Sequence, residues 1–250
     1  MTDLAGRVAL VTGSSRGIGA AIARRLATEG AAVVVHGRDH AAAATVQQQI
    51  TTAGGSAISV LAEVTDYGQI EAMRATIERE LGPVDVLVAN AGGNPIPPGP
   101  VENITTQGWH ASIDANLTAT FLTVKAFLPG MKDRHHGTII TMSSAAARRP
   151  CAASPIAYAA AKAGIEVLTQ EIALQAGPTG VRINCIAPET ILTERNRRQI
   201  PTNVQAQLRE THPLQRLGTP EDVAEAALFL ASQRSSWISG ITIDVAGGSV

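Results

Sequence analysis

Cysteine and aromatic residues are scarce in this 250-residue chain, which has two Cys, two Tyr, two Trp and three Phe. Cys151 and Cys185 form neither a disulfide framework nor a metal-ligand spacing, so no metal is expected and a cross-linked secreted scaffold is excluded. Neither sign of charge is in excess: 20 Lys+Arg stand against 21 Asp+Glu, a net charge of −1. Nucleic-acid binding as the main business needs a basic face that this balance does not provide. No apolar run reaches the roughly 18–20 residues that span a bilayer. The start, Met1-Thr2-Asp3-Leu4-Ala5-Gly6-Arg7, lacks a basic stretch leading into an apolar one, as a secretion signal requires. The expectation is a cytoplasmic globular protein with no nucleic-acid or membrane partner. No linker, repeat or low-complexity block divides it, so residues 1–250 read as one domain.

What the chain does have is a series of short runs rich in Val, Ile and Leu. They lie at Val8–Val11, Ala31–Val35, Ala57–Leu61, Val84–Ala89, Thr138–Met142, Val181–Ile186 and Ile241–Val245. Most lack polar alternation, which suits strands covered on both faces, as in a parallel sheet. Helical spacing fills the gaps. Residues from Ile18 to Glu29 read as a helix stopped by Gly30; Ile70, Met73, Ile77 and Leu81 mark another, stopped by Gly82-Pro83. Alternating strand and helix predicts an α/β fold of right-handed βαβ units with helices on both faces.

The first strand runs into Val11-Thr12-Gly13-Ser14-Ser15-Arg16-Gly17-Ile18-Gly19. Glycines at 13, 17 and 19 permit a tight turn, close backbone approach to a pyrophosphate and close packing of the next helix. The helix N-terminus then offers N–H groups and partial positive charge to phosphates. This Thr-Gly-xxx-Gly-x-Gly turn resembles the cofactor signature of the short-chain dehydrogenases/reductases, and later motifs extend the likeness over essentially the whole chain. The resemblance implies a Rossmann-type doubly wound seven-stranded parallel sheet, a nicotinamide cofactor and an alcohol–carbonyl reaction. It places Gly13, Ser15, Arg16, Gly17, Ile18 and Gly19 around the cofactor.

An acidic residue after the second strand marks NAD, whereas an arginine suits the 2′-phosphate of NADP. Here the family's acidic position is Gly37, followed by Arg38, and Arg16 is a second cation able to reach the same phosphate. This favours NADPH over NADH. The alternative is a pair of solvated arginines with Asp39 on the ribose. By resemblance, Leu61-Ala62-Glu63-Val64 covers the adenine, with Glu63 in place of the usual aspartate. Ala89-Asn90-Ala91-Gly92 resembles the family's Asn-Asn-Ala-Gly, in which Asn90 braces the sheet and Gly92 lets the ribose approach.

Tyr158 and Lys162, four residues apart on a helix, share one face. An ammonium beside a phenol favours its anion, making a general acid–base group near a substrate oxygen. The resemblance makes Tyr158 the acid/base and gives Lys162 a second bond to the nicotinamide ribose. In it a serine after strand five donates to the substrate oxygen. Ser144 lies fourteen residues before Tyr158 where thirteen is common, which one extra loop residue explains; Ser143 is the alternative. Asn116 matches the family asparagine that holds a water between lysine and solvent, and a helix kink held by its side chain is compatible with that.

After strand six, Pro188, Ile191 and Thr193 match positions at the nicotinamide carboxamide, but Glu189 replaces the usual glycine. A substrate lid is expected at about 189–213, carrying Arg195, Arg197 and Arg198. These could draw an acidic substrate or form a wet helix face. His135-His136 read as a helix end, and Thr219-Pro220 as the start of the last long helix. The resemblance points to the 3-oxoacyl-carrier-protein reductase branch and a homotetramer, with an acyl carrier as a possible partner of Arg134, Arg148 and Arg149. A sugar, steroid or other secondary-alcohol dehydrogenase is the alternative; a non-catalytic nucleotide-binding regulator is a third.

Overall fold

The apolar runs become strands, and those inside the sheet are buried on both faces while the two edge strands are half-exposed. A computed structural model describes residues 3–249. Seven parallel strands, β1 (Val8–Val11), β2 (Ala32–Gly37), β3 (Ser56–Leu61), β4 (Val86–Ala89), β5 (Gly137–Met142), β6 (Val181–Pro188) and β7 (Thr242–Val245), form one sheet in the order β3-β2-β1-β4-β5-β6-β7. Along β2, Val33 and Val35 join the core on one face and Val34 the core on the other; Ile140 and Ile139 divide likewise on β5.

The first core is covered by α1 (Gly17–Thr28), α2 (His40–Thr52) and α9 (Pro220–Ala231), through Leu26, Val46 and Leu228. The second is covered by α3 (Tyr67–Glu80), α5 (Ala119–Asp133) and the end of α6 (Ile156–Ala176), through Ile77, Phe127 and Ala176. Burying one such Leu, Ile or Phe contributes about 1.5–3 kcal/mol, so the two layers secure the sheet between them. Short α4 (Thr106–Ile113) leads into α5 through a π-helical turn, Asp114–Thr118. Two further helices, α7 (Glu194–Gln199) and α8 (Thr202–Thr211), follow β6.

Two strands run beyond their apolar stretch. β2 continues through His36 and Gly37, paired with Val60 and Leu61, and β6 continues through Ala187 and Pro188, paired with Asp244 and Val245. Backbone pairing carries a strand past the point where side-chain hydrophobicity stops. Helix starts follow side-chain caps: Asp39 accepts from the Ala42 N–H, Asp66 from Gln69, and Thr219 forms a reciprocal capping box with Asp222. His135, at φ 53°, ends the turn after α5 in the left-handed conformation. Among the described residues, no helix is long and apolar enough to cross a membrane.

Strand order reverses at β1, which lies between β2 and β4. In such sheets the crevice at the carboxyl ends of the strands beside the reversal is where ligands bind. The turns after β1 and β4 both open there.

Candidate active site

The glycine turn is too crowded for a side chain at two of its three glycines. A methyl group on Gly13 would come within 2.9 Å of the Ala91 Cα, and one on Gly19 within 2.4 Å of the Gly13 carbonyl oxygen. Gly13 and Gly17 also have φ of +66° and +57°, a region that side chains other than hydrogen rarely adopt. Thr12 and Asn90 stitch the turn to β4. The Thr12 hydroxyl accepts from the Asn90 and Ala91 N–H groups at 3.0 Å, and Asn90 Nδ2 donates to the Thr12 carbonyl at 2.9 Å. Helix α1 has no side-chain cap, so its first N–H groups are not covered by one. A crowded glycine cradle ending in an uncapped 12-residue helix fits the pyrophosphate of a dinucleotide.

His36, which the sequence reading passed over, is buried at the end of β2 and joins the turn to the next segment. Its Nδ1 accepts from the Gly13 N–H at 3.0 Å and its Nε2 faces the Ala62 carbonyl at 3.1 Å, an arrangement that the neutral ring satisfies. Burial accordingly pushes its pKa down. A polar residue closing the run Val33-Val34-Val35 was the only signal available. Ser14 adds two bonds to the same residue: its N–H donates to the His36 carbonyl and its hydroxyl accepts from the His36 N–H.

Gly37 lies next to Ser15, where a methyl group would meet the Ser15 Oγ at 2.9 Å. Arg16 and Arg38 are both exposed and each is held by a carboxylate, Arg16 by Asp39 at 2.8 Å and Arg38 by Glu63 at 3.0 Å. The Asp39 carboxyl is held below the usual carboxylate range, first by the Ala42 N–H it caps, with Arg16 adding to the effect. Val64 is buried beside Ala62.

On α6, Tyr158 and Lys162 lie one turn apart with the Lys162 Nζ 5.5 Å from the phenol ring centre. Lys162 is buried, its Nζ donates to the Met142 carbonyl at 2.7 Å, and burial pushes its pKa down to about 8. Tyr158 departs from the sequence expectation. Its phenol is pushed above the ordinary value by burial, with the Ser144 side chain pulling the other way. It is Ser144 that reaches the phenol. Ser143 instead donates to the Lys162 carbonyl at 3.0 Å or to Glu166 at 2.8 Å, and so fastens β5 to α6.

Asn116 sits in the π turn. Its Nδ2 donates to the Gly93 and Ser112 carbonyls, both at 2.8 Å, and its Oδ1 accepts from the Gly93 N–H at 3.1 Å. A methyl group on Gly92 would meet Asn116 Oδ1 at 2.7 Å and Lys162 Nζ at 3.5 Å. Hydrogen at position 92 therefore leaves the floor of the cleft open between these groups.

Pro188 ends β6, Ile191 is buried and bridged to Gly218, and Thr193 caps α7 while facing Gly17. The lid arginines are spent locally: Arg195 on Gln199, Arg197 on the Leu192 carbonyl and Arg198 on Glu194. Of the three candidate carrier-binding arginines, Arg134 binds the Val84 carbonyl at the amino ends of the strands, away from the cleft. Arg148 is paired with Asp244 and Glu166, and Arg149 bonds Ser249. Cys151 is exposed and Cys185 buried in β6.

Known proteins share this architecture. The family model described as enoyl-(acyl carrier protein) reductase matches residues 13–249. Glucose 1-dehydrogenase 2 of Bacillus subtilis (strain 168) is 39% identical over 249 residues, covering 98% of this chain and 95% of that protein. A 7α-hydroxysteroid dehydrogenase complexed with NADH and 7-oxo glycochenodeoxycholic acid superposes with a TM-score of 0.94 at 34% identity, covering 100% of this chain and 96% of that one. A gluconate 5-dehydrogenase from Burkholderia cenocepacia J2315, in complex with NADP and tartrate, superposes at 0.91 with 33% identity, covering 99% and 96%. With its glycine cradle, its tyrosine and lysine one helical turn apart and these relatives over its full length, the chain belongs to the short-chain dehydrogenases/reductases, nicotinamide-dependent oxidoreductases of alcohols and carbonyls.

Proposed function

We propose that this protein is an NADPH-preferring oxidoreductase that interconverts a small secondary alcohol and its ketone, with Tyr158 as acid/base. The observation that carries this reading is the meeting of Ser144 with the Tyr158 phenol one turn from buried Lys162, beside the open face of Gly92. When bound, the nicotinamide supplies or accepts the hydride. The chain does the rest. Gly13, Ser15, Gly17, Ile18 and Gly19 seat the pyrophosphate; Val64 and Asn90-Ala91-Gly92 border the adenosine; Pro188, Ile191 and Thr193 border the carboxamide.

Burial keeps the Tyr158 phenol protonated, so in the reductive direction it has a proton to give to the substrate oxygen. Ser144 steadies the charge that develops there. Lys162 and Asn116, with water, return the proton to Tyr158. The Ser112 hydroxyl, buried beside Asn116 without a protein partner, is a further group to which that water can bond.

The preference for NADPH rests on Gly37, where no acid meets a ribose, and on the two flanking arginines. A 2′-phosphate competes with Asp39 and Glu63 for them, and Asp39 is already engaged by its cap and Arg16. The relatives act on sugars and steroids by name, which favours a ring or sugar alcohol as substrate. A 3-oxoacyl thioester is the weaker choice, because the arginines expected to receive its carrier are turned away or paired. Exposed Phe121 on α5 and Val167 and Leu174 on α6 support assembly into a homotetramer.

Steady-state kinetics over sugars, cyclic ketones and acetoacetyl thioesters, with each cofactor, tests the whole reading. Arg38→Ala is expected to lower kcat/KM for NADPH about tenfold while leaving NADH within about twofold. An unaltered preference for NADH in the native chain would end the NADPH assignment.

A further inference from the structure

The segment between β6 and α9 leaves the body of the protein after Glu189 and returns at His212. Neither of its helices, α7 or α8, contributes a buried residue. The two ends differ from the middle: Ile191 is 3% exposed and His212 4%. Little in the middle fixes this excursion to the core, so its neck must do so.

At that neck Glu189 does four things. Its N–H donates to the Val245 carbonyl at 3.1 Å, anchoring it to β7. Its carboxylate accepts from the Thr190 N–H and, at 3.0 Å, from the Thr190 hydroxyl, fixing the first residue of the excursion. The same carboxylate meets His212 Nε2 at 2.5 Å, at the end of α8. The other ring nitrogen of His212 faces the Leu208 carbonyl at 2.5 Å, back along α8. Both ring nitrogens thus face oxygen atoms. One carboxylate and one imidazole therefore join the strand end, the first residue of the excursion and the last turn of its second helix. On the other side, Leu192 N–H donates to the Gly218 carbonyl at 2.8 Å and Gly218 N–H to the Thr190 carbonyl at 3.2 Å, closing the neck from α9's side.

We propose that Glu189 and His212 form a clasp at the base of the lid, a positioning pair that holds residues 190–211 over the cleft and sets substrate binding rather than the chemical step. A glycine at 189 has no side chain to make this connection, so the substitution that looked like a loss of turn freedom supplies a fastening. The inference rests on the reading of residues 189–213 as a substrate lid. Neither residue touches the reacting atoms, so both act through the placing of the lid.

The test combines amide hydrogen exchange of the free protein with kinetics, on the native chain, Glu189→Gly, Glu189→Gln, His212→Phe and the Glu189→Gly/His212→Phe double variant. Melting temperature and circular dichroism confirm folding of each. Exchange across 194–211 is expected to quicken about tenfold in Glu189→Gly and His212→Phe, with the core strands unchanged. Substrate KM is expected to rise about tenfold with kcat within about threefold, the double variant to be no worse than either single one, and Glu189→Gln to recover most of the loss. Native exchange across 194–211 in the single variants, or additive effects, would overturn the clasp. So would a fall in kcat at constant KM, or a misfolded Glu189→Gln. Exchange is read without substrate or cofactor, so an absence of reductase activity sinks the proposed function and leaves the clasp to its own result.

Discussion

The two walls of the cleft are built in opposite ways. On the β1 side, the glycine turn is bonded on every edge, to Asn90 and Ala91 through Thr12 and to His36 through Gly13, with no room for a methyl group at Gly13 or Gly19. On the β6 side, the excursion from 190 to 211 has exposed helices, Arg195, Arg197 and Arg198 bonded within it, and a neck closed by a few bonds. A wall that grips an invariant group can afford to be rigid. One that must admit and release a variable molecule is tied at its base and left loose elsewhere.

Tyr158 stands between the walls, and its loss gives the largest effect. Tyr158→Phe is expected to lower kcat by about a thousandfold with the dissociation constant of the cofactor nearly unchanged, measured by turnover and cofactor fluorescence titration. Next comes the rigid wall itself: Gly19→Val is expected to destabilise the fold by about 3 kcal/mol, read as a drop in denaturant midpoint. A substitution of equal size at exposed Arg198 on the lid should stay within about 0.5 kcal/mol; comparable losses at the two sites would dissolve the contrast.

Lys162→Met runs the other way. The folded pKa of Lys162, about 8, lies below its value of 10.5 in the open chain, so below pH 8 the fold carries a buried cation at a cost. Removing it, less the bond lost at the Met142 carbonyl, is expected to stabilise the protein by about 1–2 kcal/mol while abolishing turnover. Denaturation at pH 7 and again near pH 10 checks the sign, since the native chain should gain stability over that interval and the variant should gain less.

The smallest effect concerns His36. Its folded pKa is depressed below the ordinary 6.5, so its contribution is complete above that value and is lost as pH falls through the folded pKa. Stability should decline as the solution is acidified from pH 6.5, and His36→Asn should flatten part of that decline. A native profile with no slope there would separate His36 from the rigid wall.

How much of this could be read from the sequence follows from the range over which each contact acts. The inner strands were legible because burial on both faces leaves an unbroken apolar run, and the tyrosine–lysine pair because one helical turn is a fixed spacing. The ends of β2 and β6 were not, since pairing with β3 and β7 extends them through His36-Gly37 and Ala187-Pro188. The bond from Gly13 to His36 spans 23 positions, and that from Glu189 to His212 also 23; each exists only because the sheet or the neck brings its partners together. Nor could composition show that Arg134 points to the far end of the sheet, because its direction is set by where α5 stops.

The wide turn at Asp114–Thr118 has a consequence for sequence variation. The wider turn takes up one more residue than a regular turn, so α5 keeps nearly the phase of a straight continuation of α4. Deleting one residue there is expected to leave Thr120, Thr123 and Phe127 facing inward while removing the wide turn that carries Asn116 to Gly93. The shortened chain should therefore keep its core and disturb its cleft.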